Sequence, residues 1–382
     1  MKTKKILLIL LFIFASSLAS AQSSDDVLNL LIQKGLVKQN DADSIRADYA
    51  LKQQEVKEKQ KIFGVFSSRN LSIGGYTQLR YQSLQEKGKP DGFDIRRARL
   101  DIRGNFSPEW EYRLQADFAV ATKLVDAYFV YKPYDFLKIT GGQFIVPVSL
   151  ENTTADSSLE TIDRAQVTGL AGRNKGAIGD QNGRDIGVQV NGSLFKTQSS
   201  RFLLDYYIAY LNGQGVNIAG DKNEGKDIAT RVVVHPYDFL DFGVSYSNGK
   251  DTWTTIAKDQ KHILFGADLA VNYADFSLKT EYLQAQEGTY VVKGQTVNLL
   301  RSGWYAQLGY FALPKKLQIV AKYDTYDPTK DNAINDISTF YTLGANLYPN
   351  SFIKFQINYK HRVEQGNSIN KDEIVAQLQV KF

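Results

Sequence analysis

Between Phe93 and Val120 the sequence runs FDIRRARLDIRGNFSPEWEYRLQADFAV, and it alternates in twos. Arg97, Arg99, Asp101, Arg103 and Asn105 fall on one side, and Ala98, Leu100, Ile102, Gly104 and Phe106 on the other. After Ser107-Pro108-Glu109 the alternation resumes, with Glu111, Arg113, Gln115 and Asp117 against Trp110, Tyr112, Leu114, Ala116 and Phe118. Two such runs joined by a proline-containing turn predict a β-hairpin. About a dozen residues per run is long for a soluble sheet and suits a tilted strand crossing a bilayer, which needs roughly 9–11 residues in the hydrocarbon. The apolar, aromatic face then meets lipid, and the arginine-dense face borders confined water.

The rest of the chain repeats this pattern. Sixteen two-periodic runs can be counted, from 71–84 and 94–106 through to 351–363 and 372–382. An even number is what a closed antiparallel bacterial barrel requires. The expected fold is therefore all-β, a sixteen-stranded transmembrane barrel over 65–382. Tyr and Phe, 22 and 21 in number, suit its interfacial girdles. Connections alternate between short and long. Lys132-Pro133-Tyr134-Asp135-Phe136-Leu137 recurs as His235-Pro236-Tyr237-Asp238-Phe239-Leu240, and Tyr348-Pro349-Asn350-Ser351 echoes both. Proline at the first turn position and Asp or Asn beside it predict tight periplasmic turns. One outer connection, Pro147 to Gly183, is about 37 residues long, a length that marks a functional loop.

The N-terminus differs. MKTKK precedes the apolar run Ile6 to Ala15 and then Ala19-Ser20-Ala21. That is a secretory signal peptide over 1–21, too short to span a membrane. Residues 22–64 are Lys-, Glu- and Gln-rich, with Val27, Leu30 and Leu31 on one helical face and Gly35 as a stop. They predict a short periplasmic helical segment ahead of the barrel, either a coiled coil between subunits or a solvated linker. Loss of Lys2, Lys4 and Lys5 takes the net charge from +5 to +2. The absence of cysteine excludes disulfides and thiolate metal sites.

Three stretches resemble the phosphate-selective porin O/P family: Phe93-Asp94-Ile95-Arg96-Arg97-Ala98-Arg99-Leu100, Gly142-Gln143-Phe144-Ile145-Val146-Pro147, and Gly183-Arg184-Asp185-Ile186-Gly187-Val188. The resemblance spans roughly Leu71 to Phe382, and the helical segment is similar to that of Bacteroidetes members. It implies a homotrimeric porin of the bacterial outer membrane whose lumen carries an arginine ladder guiding anions such as phosphate to a constriction. Arg96 and Arg97 match the paired ladder arginines. Arg164, in Glu160-Thr161-Ile162-Asp163-Arg164-Ala165, stands where the family has a constriction arginine. The long connection is the third outer loop, the one general porins fold inward. Asp163 and Glu160 beside Arg164 weigh against phosphate selectivity.

Parity extends the lumen face to Arg80, Arg97, Arg99, Arg103, Arg113 and Arg231, with about fifteen basic against nine acidic residues in all. Basic rings favour anions in pores, and the guanidinium fork suits phosphate. Arg96 breaks parity: it faces lipid in a regular strand, turns inward at a bulge, or snorkels to the headgroups. The competing structural reading is a cross-strand salt-bridge network that stiffens the wall. An enzymatic barrel finds little support. His235 falls in a periplasmic turn, and His361, on the lipid face, has no serine at a recognisable spacing. Cofactor, metal and nucleic-acid binding have no supporting motif, and a barrel used for adhesion is the remaining alternative. The expected partners are small phosphate-like anions and outer-membrane lipid.

Overall fold

The structure, a computed structural model, describes residues 29, 32–34, 71–85, 91–172, 183–218, 220, 225–251, 260–292, 295–330, 336–365 and 372–382. The signal peptide read at 1–21 and, but for four residues, the helical segment read at 22–64 lie outside the described residues. A compact unit spans Arg69–Phe382.

Sixteen strands follow in order: β1 (Leu71–Leu84), β2 (Gly92–Ser107), β3 (Trp110–Asp117), β4 (Lys123–Tyr134), β5 (Leu137–Ile145), β6 (Arg184–Lys196), β7 (Phe202–Leu211) and β8 (Asp227–Tyr237). The second half comprises β9 (Leu240–Asp251), β10 (Gln260–Tyr273), β11 (Phe276–Val292), β12 (Gln295–Leu313), β13 (Leu317–Asp327), β14 (Ser338–Leu347), β15 (Ile353–Glu364) and β16 (Glu373–Lys381). Each pairs antiparallel with the next, and β1 pairs with β16 from Tyr76↔Lys381 to Leu84↔Glu373, which closes the barrel.

The period-two pattern sets which face is which. Along β15, Lys354, Gln356, Asn358 and Lys360 are buried inside, while Phe355, Ile357 and Tyr359 are exposed outside. Closure satisfies every strand's backbone with a neighbour, the condition for entering hydrocarbon without helices. Aromatic pairs ring both ends of the outer surface. At the short-turn end Tyr134 stacks on Phe136, Tyr237 on Phe239, and Phe276 meets Tyr310. At the long-loop end Trp304 meets Tyr323, and Tyr323 meets Tyr341. These are the interfacial girdles.

The prolines sit differently from the sequence expectation. Pro133 and Pro236 lie in the last residues of β4 and β8, where register shifts fall between Tyr131 and Tyr134 and between Val234 and Tyr237. A residue without an N–H is tolerated where the ladder is already interrupted. The turns themselves are Asp135-Phe136 and Asp238-Phe239. His235 is consequently a strand residue, and its ring bridges Asp241 at 2.6 Å and Asp205 at 3.3 Å.

The loop between β5 and β6, the third long connection and here L3, folds into the barrel. It carries a single helical turn, α1 (Leu150–Thr153), and 3-10 turns at Asp156–Ser158 and Gln166–Ala171. Its neck is narrow: Val146 N–H donates to the Gly183 carbonyl at 2.8 Å, and Gly183 has φ +60°. A Cβ at Gly183 would lie 1.9 Å from Asn152 Oδ1, so a side chain there is strained and must displace the Asn152 amide.

Candidate pore and its constriction

L3 has a dry seat. Val146, Val148, Ala165, Val167, Leu170 and Ala171 pack against Leu211, Leu264, Leu283, Ala285 and Tyr305 on the inner wall, all buried. This part of the lumen face is apolar, a feature that the parity count of charged residues did not address. Burying such side chains stabilises by about 1.5–3 kcal/mol each. Apolar residues at lumen parity, Leu283 and Ala285 between Glu281 and Glu287, are the signal that could have marked it.

Polar stitches surround that seat. Glu281 accepts from the Leu150 N–H at 2.9 Å, Asn358 Oδ1 from the Ile162 N–H at 2.7 Å, and Asp324 from the Gln166 N–H at 3.0 Å. Lys354 donates to the Ser157 and Leu159 carbonyls at 3.0 and 2.9 Å. Glu160 binds Lys279 at 3.0 Å and Gln307 at 2.8 Å, and Glu151 binds Lys322 at 2.9 Å. L3 is thereby fastened to the wall from β11 to β16.

Its acidic residues then meet the arginines of β2. Between Gln78 and Leu79 the β1–β2 register skips a residue, pairing Gln78 with Arg97 and Leu79 with Ile95. Arg96 is the extra residue, and the bulge turns it inward to Asp163 at 2.6 Å. Lys360 approaches the other Asp163 oxygen at 2.8 Å. Burial acts to raise the Asp163 carboxyl, but Arg96 and Lys360 outweigh it and hold it well below the usual carboxylate range. Glu151, raised by burial and lowered by Lys322 and Arg164, also ends below its ordinary value. Asp156 is the hub: Arg97 reaches it at 3.2 Å, Arg99 at 2.8 Å, and Arg164 contacts it too. Arg164 also donates to the Glu151 carbonyl at 2.9 Å, so it braces L3 from within.

The other arginines singled out from sequence are partnered as well. Arg80 pairs with Asp94 at 2.6 Å. Arg113 is held by Asp101 and Asp126, both at 2.9 Å, while Arg103 takes the second Asp101 oxygen. Arg231 grips Asp268 through two bonds of 2.6 and 2.9 Å. Arg184, which the parity argument passed over, binds Asp126 at 2.6 Å and completes an alternating chain Arg103–Asp101–Arg113–Asp126–Arg184. The cavity left open is about 840 Å³ and lies chiefly against β1–β8. Among its described lining residues, Lys138 and Lys381 are the lysines, and neither has an ion pair. Lys138 is among the basic residues that parity puts on the lumen face, whereas Asp156 and Glu151 were not singled out from sequence. Four acidic residues between 151 and 163 facing an arginine-rich strand are the clue to both.

A closed sixteen-stranded barrel, apolar outside, charged inside and narrowed by an inserted loop, defines an outer-membrane pore of the porin class. Within that class the chain belongs to the family described as phosphate-selective porin O and P, which matches residues 74–382. No curated protein matches the chain. Solved structures agree on the fold. The anion-selective porin from Comamonas acidovorans is 13% identical with a TM-score of 0.63, covering 82% of this chain and 99% of that one. The outer membrane channel DcaP of Acinetobacter baumannii is 14% identical with a TM-score of 0.60, covering 82% and 97%. The trimer form of OmpT of Vibrio cholerae is 12% identical with a TM-score of 0.60, covering 82% and 99%.

Proposed function

We propose that the protein passes small hydrophilic solutes by passive diffusion, with a weak preference for anions rather than a phosphate-specific filter. The observation that carries this reading is the pairing of every arginine singled out from sequence with a carboxylate. A guanidinium held by a carboxylate has fewer donors left for phosphate, and a largely compensated wall exerts a weaker net field on a passing ion. Unpaired Lys138 and Lys381 supply the residual positive character. The family's phosphate reading is favoured by Arg96 and Arg97, which stand in the family motif and crowd one edge of L3. In this reading the short turns and the N-terminal segment face the periplasm, and the barrel works as a homotrimer, in line with the trimer form of OmpT of Vibrio cholerae.

The test is a reversal potential in a KCl gradient across a planar bilayer, repeated with added phosphate. A small anion-preferring potential with chloride current unaffected by phosphate is expected. Strong cation selectivity overturns the reading, and phosphate block of the chloride current replaces it with the phosphate-channel reading.

A further inference from the structure

Away from L3, one row of the inner wall has donors that nothing among the described residues consumes. Register places Lys138 opposite Asn191, Asn191 opposite Tyr207, and Tyr207 opposite Arg231, a continuous line across β5, β6, β7 and β8. All four line the open cavity. Arg231 is committed to Asp268 and to Ser245 at 2.8 Å. The other three differ. Among the described residues the Lys138 ammonium has no hydrogen-bond or ion-pair partner, and the Tyr207 hydroxyl has no hydrogen bond. Asn191 accepts from Gln189 at 3.1 Å, and its own amide hydrogens have no acceptor. Val130, Val233 and Tyr128 stand beside the row in the same cavity.

We propose that the Lys138–Asn191–Tyr207 row is a binding station for a small organic monocarboxylate with an apolar body. The proposal rests on the passive-pore reading above and names the solute that this pore retains. One ammonium and two neutral donors match one carboxylate charge and its lone pairs. An inorganic dianion would need a second free cation, and the arginines within reach are spent. His235, lower on the same wall, is held between Asp205 and Asp241. The valines and tyrosine rings give an apolar body a surface that neither phosphate nor chloride can use. Contacts of this number bind weakly, as a permeation site must for the solute to leave.

The experiment is block of chloride current in planar bilayers by benzoate, acetate and phosphate. Benzoate is expected to half-block at a concentration at least about ten-fold below either of the others, a factor of about 1.4 kcal/mol. Lys138→Gln should remove that advantage, Tyr207→Phe should weaken it about three-fold, and Lys138→Arg should keep most of it. Lys381→Gln, which removes a lumen charge outside the row, should lower the anion preference while keeping benzoate's advantage over acetate and phosphate. Heat-modifiable migration of each variant in detergent gels verifies that its barrel is folded. Equal block by phosphate and benzoate, or full benzoate block in folded Lys138→Gln, overturns the proposal. If chloride current and its anion preference persist while benzoate block is missing, this inference fails alone. A barrel without anion current defeats the passive-pore reading instead.

Discussion

Arg96 and Asp163 meet at 2.6 Å across the lumen, one on a strand bulge and the other at the tip of the inserted loop. The contact exists because β2 carries one residue more than β1 can pair, which points two successive arginines inward. Asp163→Asn leaves Arg96 without its counter-charge, while Lys360 keeps only Glu373 at 3.2 Å. The anion-to-cation permeability ratio should rise several-fold in the reversal-potential measurement. An unchanged ratio would show that ions do not sample this edge of L3.

Changing Arg97 and Arg99 together to Gln has the opposite sign. Asp156 would keep Arg164 but lose both wall cations, and Asp117 would lose Arg99. Breaking buried pairs from one side costs about 3–5 kcal/mol. The expected outcome is a lower thermal midpoint for the folded barrel together with a shift towards cations. A shift in selectivity at full stability would instead make these arginines ion-contacting groups free of a wall role.

Acid should loosen L3 only late. Asp163 and Glu151 are both depressed in the folded protein, so their contribution is fully present above the ordinary carboxylate range, about pH 4. It is lost as pH falls through the lower folded values. The part of the fastening that Asp163 supplies, read as the difference in loop protease resistance between the parent and Asp163→Asn, should hold from pH 8 to about pH 5 and fade only below about pH 4. A difference that fades near neutrality would mean that the Asp163 carboxyl is not held down by Arg96 and Lys360.

The apolar seat predicts a different phenotype. Leu170→Ala removes a buried side chain that has no polar partner, at a cost of about 2–5 kcal/mol. Single-channel traces should become noisier, with excursions to higher conductance, while ion selectivity stays close to that of the parent. Quiet traces at the parental conductance would show that the polar stitches alone hold L3.

Deleting residues 22–64 removes no barrel strand, since the barrel's compact unit begins at Arg69. Pore conductance should survive in detergent-refolded protein, and any loss should appear as fewer or weaker oligomers on a native gel. Failure of the truncated barrel to fold would move the domain boundary.

The barrel was legible because period two repeats sixteen times and each repeat is a local signal. The bounds of β1 match its sequence run, 71–84, residue for residue. What eluded the sequence depends on pairings between residues far apart in the chain. Arg96 could be recognised as breaking parity, but whether a bulge absorbed it depended on the register with β1. Parity along 351–363 puts Lys354 and Lys360 on the lumen face, where both are buried. It could not reveal that Lys354 would be covered by the Ser157 and Leu159 carbonyls of a loop nearly 200 residues earlier. Asp156 lies in a stretch with no periodicity, and its meaning comes only from the three arginines that converge on it. Counting signs along strands gave a basic excess because the loop's carboxylates are not strand residues.

The inserted loop also divides the barrel into two materials. Along the open cavity the inner wall of β1–β8 is charged, whereas from Leu211 at the end of β7 round to β12 it packs like the interior of an ordinary soluble domain, with Leu211, Leu264, Leu283 and Tyr305 almost wholly covered. Substitutions should therefore be judged by different standards on the two sides. Along the open wall, sequence drift alters what passes and how fast. Along the covered wall it meets the volume and shape constraints of a packed core, so drift there is limited by steric fit even though the residues face the centre of a channel.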